Sequence, residues 1–248
     1  MVTNSKPDTA LPIVGENSLT GQCWSCGDMR AAHFCQACGK LQPAVPTDYF
    51  TFFGLPRKLN LDVAELEREF HRLSRKLHPD LYVISSGPER EWSLEKSSQL
   101  NDAYRTLRDP ISRTAYLLKL EGVQLEEQSK SATDRARETG QEKKQVVPPD
   151  LLEEVFELNM ELEEFRANKK MQEDDPDLRR QITATKQDLE QKLAATDSEL
   201  KKLWDRWDAA VDGKEQERAS VRDGLVALLN RRKYIANLVR DVNQELEA

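Results

Sequence analysis

The 248-residue chain carries 37 basic and 44 acidic side chains, a formal net charge of -7, with 38% apolar and 33% charged residues. The excess of acid excludes general electrostatic binding to nucleic acid or to an anionic membrane, so any basic surface must be local. So high a charge content with only 10 glycines and 5 tyrosines favours amphipathic helices over twisted sheets, and no window reaches the roughly 18 apolar residues of a membrane span.

Residues 1–20 show no hydrophobic periodicity and predict a disordered tail. Their only base is Lys6, beside Asp8 and Glu16. That is unlike a secretory or transit signal and makes the cytoplasm the expected compartment, with the mitochondrial matrix as the alternative. Residues 21–45 hold all four cysteines, Cys23-x2-Cys26 and Cys35-x2-Cys38, each pair closely followed by a glycine, Gly27 or Gly39. Two pairs of soft thiolates suit one tetrahedral divalent ion, and four sulfur ligands leave no position for a reactive water, so a structural Zn2+ is expected. A knot this small has almost no core, which makes metal binding and folding one event. The same residues also allow a thiol-disulfide exchange site or a pair of disulfides. His33 reads as a bystander, and Arg30 and Lys40 are too few for a nucleic-acid ribbon.

Beyond Pro43 and Pro46, residues 46–122 predict helices at 49–53, 62–77, 89–107 and 111–120, with Asp62 as an N-cap and Gly122 as a stop. Val63, Leu66, Phe70, Leu73 and Leu77 form one stripe and Leu100, Ala103, Tyr104 and Leu107 another, so the two long helices pair as an antiparallel hairpin. Pro79 lacks an amide donor and forces His78 toward an extended conformation, ending the helix there. An imidazole and a carboxylate, His78 and Asp80, are left on a tight turn at the end of a rigid hairpin. Just before it Arg68, Arg72, Arg75 and Lys76 share the side away from the apolar stripe, opposed within residues 68–76 by Glu69 alone. Such groups are placed to touch another protein. A solvated helix face is the plainer alternative for the charge run, and a catalytic His–carboxylate pair would lack a nucleophile or glycine-rich loop to work with.

Residues 123–148 are polar, of mixed charge, and read as a linker. Residues 149–248 predict three antiparallel helices, the first announced by Pro148-Pro149-Asp150 and the second by Asp175-Pro176, an N-cap followed by proline at the first helical position. Leu151, Val155, Leu158, Leu162 and Phe165 mark the buried face of the first. Ile182, Leu189, Leu193, Leu200, Trp204, Trp207 and Val211 mark that of the second, up to Gly213, and Leu228, Ile235, Val239, Val242 and Leu246 that of the third. Gly224 is expected to delay or bend the third helix. Residues 150–165 contain seven carboxylates and no base, and Leu152, Phe156 and Met160 fall on a second side, between the core stripe and Glu157, Glu161 and Glu164. Those three either widen the core or form a docking surface for a basic partner.

Residues 48–55 (DYFTFFGL), the His78-Pro79-Asp80 turn, residues 101–107 (NDAYRTL) and Asp109-Pro110 leading to residues 116–118 (YLL) closely resemble the J domain of the HscB family of iron-sulfur co-chaperones. The resemblance implies an all-α fold, a J-domain helical hairpin plus a C-terminal antiparallel three-helix bundle, here preceded by a small zinc knot, and no enzymatic activity. It implies that His78, Pro79 and Asp80, with Arg68, Arg72, Arg75 and Lys76, dock on a DnaK/HscA-type ATPase chaperone and stimulate its hydrolysis. It places Leu152, Phe156, Glu157, Met160 and Glu164 at positions that bind an IscU-type scaffold protein, with Tyr234 as a sixth contact lying off its helix's core stripe. A general J protein delivering unfolded clients is the alternative.

Overall fold

The structure is a computed structural model that describes residues 22–28, 33–85, 87–123, 148–171, 175–210 and 215–247. The predicted tail, most of the linker, Arg30, Val211 and Gly213 lie outside the described residues. Among the described residues the regular structure is helical apart from one isolated antiparallel bridge, Phe34 to Leu41, and no helix is long and apolar enough to cross a membrane. The chain divides into two compact units, Met1–Val123 and Gln124–Ala248.

In the first unit α1 (Tyr49–Phe53) is five residues long, too short to be stable alone, and both of its ends are tied. The Asp48 carboxylate accepts the amides of Phe50 and Thr51, and Gly54 closes the helix in a left-handed conformation. Its Phe50, Phe52 and Phe53 are buried, and Tyr49 stacks on Tyr116 at 4.4 Å while donating its amide to the Tyr116 hydroxyl. Helix α2 (Val63–Leu77) starts at the Asp62 N-cap. It lies along α3 (Gly87–Arg108) with Leu66, Leu73 and Leu77 facing a core that includes Leu100, Ala103 and Leu107; Phe70 stacks on Tyr104 at 4.1 Å. Val63, expected to open the stripe, is 39% exposed because the first residue of the helix stays uncovered. Helix α4 (Pro110–Leu120) begins with the Asp109 cap and Pro110 in its first turn, and buries Leu117 and Leu118. Gly122 then turns the chain at φ 80°.

The second unit opens with a 3-10 turn, Pro149–Leu151, leading into α5 (Leu152–Met171), followed by α6 (Pro176–Ala209) and α7 (Glu215–Glu247). Asp175 caps α6 by accepting from Asp177 and Leu178, with Pro176 where no donor is needed. Leu151, Val155, Leu158, Leu162 and Phe165 pack with Leu178, Ile182, Leu189, Tyr234, Ile235 and Val242 in one core. Around this core ion pairs link the elements: Arg231 to Asp150 at 2.6 Å, Lys192 to Glu154, Arg232 to Asp197 at 2.5 Å and Arg166 to Glu245 at 2.6 Å. With 20 residues against 34 and 33, α5 spans only one end of the α6–α7 pair, so the three-helix core gives way to a two-helix hairpin past residues 197 and 232. Gly224 does not delay α7, which starts at Glu215 and runs through it. A Cβ there would stand 3.0 Å from a Leu203 methyl, so the missing side chain lets α6 and α7 approach closely.

Candidate functional site

Three groups of residues come together as candidate sites. The first is the end of the α2–α3 hairpin. His78 has ψ 128°, the extended value that a following proline imposes, and Pro79–Tyr82 form a single 3-10 turn. With no amide at Pro79 to extend the helical ladder, the Leu77 carbonyl takes two hydroxyl donors from α3, Ser93 at 2.7 Å and Ser97 at 2.8 Å. Tyr82 ties the turn back by donating its hydroxyl to the Lys76 carbonyl at 3.0 Å. The turn is therefore held from both sides while its polar groups face water: the side chains of His78 and Asp80 are 57% and 85% exposed, with His78 Nδ1 3.3 Å from the Asp80 amide. Arg68, Arg72, Arg75 and Lys76 are exposed beside them. Arg72 forms a two-pronged pair with Glu69, which keeps the Glu69 carboxyl below its usual range, whereas Arg68 and Arg75 have no carboxylate partner among the described residues.

The second is the cysteine knot. Cys23 and Cys35 each start the same tight turn: the Gly27 amide bonds back to Cys23 and that of Gly39 to Cys35, at φ 76° and 72°, a conformation a Cβ would strain. The Asp28 and Lys40 carbonyls receive the Cys23 and Cys35 amides in turn. The four sulfurs lie within 4.8 Å of one another, with 3.6 Å between Cys23 and Cys38 and between Cys26 and Cys35. Sulfurs at about 2.3 Å around one tetrahedral ion would be about 3.8 Å apart, so the donor set fits a single metal ion. Burial opposes ionisation of Cys23, but the Cys26 and Ser25 amides and the Gln42 side chain outweigh it and bring that thiol down to about 6. At Cys26 the Asp28 backbone favours the thiolate, yet burial and the adjoining thiols push it up to about 12. Several thiolates at this distance repel one another unless a cation sits among them. His33 is turned away from this role, since Nε2 lies 2.8 Å from the Phe52 carbonyl and Nδ1 3.3 Å from Lys96 Nζ.

The third is the outer side of α5. Leu152, Phe156 and Met160 are 54%, 67% and 57% exposed, and Glu153, Glu157 and Glu164 are exposed around them. Glu161, partly buried among these acids, is raised by burial and by its neighbours Glu157 and Glu164. Tyr234 is different. It is 4% exposed within the core, which corrects the expectation that it lies off the stripe. Helix α7 packs against both α5 and α6, so its buried arc is wide enough to take Tyr234 and Ile235 together. Arg231, one turn earlier on the Tyr234 side, already faces α5 through Asp150.

What sequence reasoning missed is the seat of the knot on the hairpin. Trp24 meets Trp92 edge-on at 5.6 Å, Lys40 reaches Glu89 at 3.7 Å, and the His33 ring lies 4.4 Å from that of Phe52. Lys96, only 2% exposed, is held down to about 8 by burial, and His33 falls to about 4 through burial and the Lys96 charge. One signal was available: Lys96 precedes Leu100 by four and Ala103 by seven, and so sits on an apolar stripe where a lysine is out of place.

An exposed His-Pro-Asp turn beside a basic ridge, carried on an antiparallel helical hairpin, defines a J-domain protein, and residues 48–116 match the DnaJ domain family. The chain is 34% identical over 172 residues to the iron-sulfur cluster co-chaperone protein HscB of Mus musculus, covering 65% of this chain and 68% of that protein. It is 36% identical over 143 residues to the HscB homolog of Arabidopsis thaliana, covering 57% of this chain and 51% of that one. In fold it resembles the crystal structure of human co-chaperone protein HscB, with a TM-score of 0.57 at 24% identity over 90% of this chain and 98% of that one. The chain belongs to the HscB family.

Proposed function

We propose that this protein is an adaptor of iron-sulfur cluster assembly, a co-chaperone rather than an enzyme. Its J domain engages a DnaK/HscA-type chaperone and stimulates ATP hydrolysis there, while the outer side of α5 carries an IscU-type scaffold protein to the same chaperone. The observation that carries this reading is the pairing, in one chain, of an exposed His78-Pro79-Asp80 turn with an exposed apolar set, Leu152, Phe156 and Met160, ringed by acids. Apolar side chains with an acidic rim favour a partner patch with a greasy centre and basic edge. Leu152, Phe156, Glu157, Met160 and Glu164 are the proposed contacts. Tyr234 supports them from within the core. The knot is proposed to hold one structural Zn2+ through Cys23, Cys26, Cys35 and Cys38.

The test is chaperone ATP turnover measured with and without this protein and the scaffold. His78→Gln is expected to reduce stimulation to the unstimulated rate and to leave scaffold affinity unchanged; full stimulation by this variant would refute the J-domain assignment. Leu152→Ala with Phe156→Ala is expected to weaken scaffold binding on the order of 100-fold, as removal of central interface anchors does, while stimulation without scaffold persists. Undiminished scaffold affinity in a folded double variant would rule this face out. Preferential binding of denatured polypeptides would instead favour a general J protein. Metal analysis of protein purified without chelator is expected to give one zinc per chain, and disulfide reductase activity with little metal would mark the cysteines as redox groups.

A further inference from the structure

The knot sits against the end of the hairpin that bears the docking turn. Its grip is distributed over three elements: Phe52 of α1 through His33; Glu89, Trp92 and Lys96 of α3 through Lys40, Trp24 and His33; and the last turn of α2 through Phe34. This third contact is the informative one. Phe34 stands next to Cys35 in the chain, and its ring lies 5.9 Å from the ammonium of Lys76, one of the ridge bases beside His78. The loop's own bonds include the Phe34 to Leu41 bridge, the Gln42 amide on the His33 carbonyl, and the Trp24 indole on the Leu41 carbonyl. A loop with so little core would hold this shape through its metal ligands.

We infer that the cysteine knot is a metal-dependent brace of the docking ridge, in which Phe34 positions Lys76 for the chaperone and metal loss releases it. The inference rests on the ridge being the docking surface. Phe34 is a positioning residue and touches no substrate. A cation held over an aromatic ring at a partly exposed site contributes modestly, corresponding to about a two- to five-fold change in affinity.

The experiment uses the full chain and reads the protein concentration giving half-maximal chaperone ATPase stimulation separately from the maximal rate. Phe34→Leu should keep its zinc content and helical signal, raise the half-maximal concentration about three-fold and leave the maximum unchanged, and Phe34→Tyr should restore it. In a Lys76→Ala background Phe34→Leu should have no further effect, an outcome that general destabilisation of the knot would not produce. Stripping the metal should raise the half-maximal concentration, with reversal on adding Zn2+. An unchanged half-maximal concentration for both Phe34→Leu and the metal-free protein, with His78→Gln inactive, would overturn the brace and spare the J-domain reading. Additive effects of Phe34→Leu and Lys76→Ala would overturn it as well. Full stimulation by His78→Gln would remove both.

Discussion

At His33 the two ring nitrogens are committed in opposite senses, one donating to the Phe52 carbonyl and the other accepting from Lys96, so the buried ring is neutral. Its pKa falls from 6.5 to about 4, through burial first and the Lys96 charge second. Between those values the unfolded chain binds the extra proton and the folded chain does not, so the stability this group contributes is present above pH 6.5 and lost as pH falls toward 4. The full shift corresponds to about 3 kcal/mol. Melting temperature followed against pH should therefore drop more steeply for the wild type than for His33→Gln across that window. Comparing the two proteins cancels the protonation of the thiols, and parallel curves would show that the ring is not buried neutral. Lys96 works in the same direction at higher pH: its buried ammonium carries its full desolvation cost below about pH 8, and that cost falls away as pH rises from about 8 to 10.5.

Among the helices, those that carry explicit end signals were legible in the sequence. Asp62 and Asp175-Pro176 cap α2 and α6 in the structure with the bonds that such residues make locally. The exposed second face of α5 was legible for a similar reason, because 100° per residue separates Phe156 from Leu158 without reference to anything distant. Tyr234 and Gly224 were not, since each depends on where the neighbouring helices lie against α7 and how close they come, and one helix's periodicity holds no record of its neighbours. The knot's seat is hidden for the same reason, its contacts joining residues as far apart as His33 and Lys96. At Gly224 the predicted clash is with a leucine methyl, the movable end of a side chain. Gly224→Ala should therefore gain most of the roughly 1 kcal/mol of helix propensity and raise the melting temperature slightly, whereas Gly224→Phe should lower it. A lower melting temperature for the alanine variant would mean that the α6–α7 contact cannot give.

On the scale of the whole protein the charges are segregated. A chain of net charge -7 keeps Arg68, Arg75 and Lys76 together on one exposed ridge and Glu153, Glu157 and Glu164 together on α5. The two proposed contacts should therefore both weaken as salt rises, because each is made between exposed charges that salt screens. Raising salt from about 50 mM to about 500 mM should increase the half-maximal concentration for ATPase stimulation several-fold, and the apolar centre of the α5 surface should make scaffold binding fall less steeply. Salt-independent stimulation would mean that the ridge is a solvated face with no part in docking.

The Leu77 carbonyl, with one hydroxyl from Ser93 and another from Ser97, gives the hairpin a form of insurance. Ser93→Ala or Ser97→Ala alone leaves a donor in place and should shorten the native lifetime little, whereas the pair strands a buried oxygen and should cost more than the two single losses combined. A thermodynamic cycle over these two hydroxyls would thus measure how firmly the tripeptide that follows is anchored, without altering any residue that meets a partner.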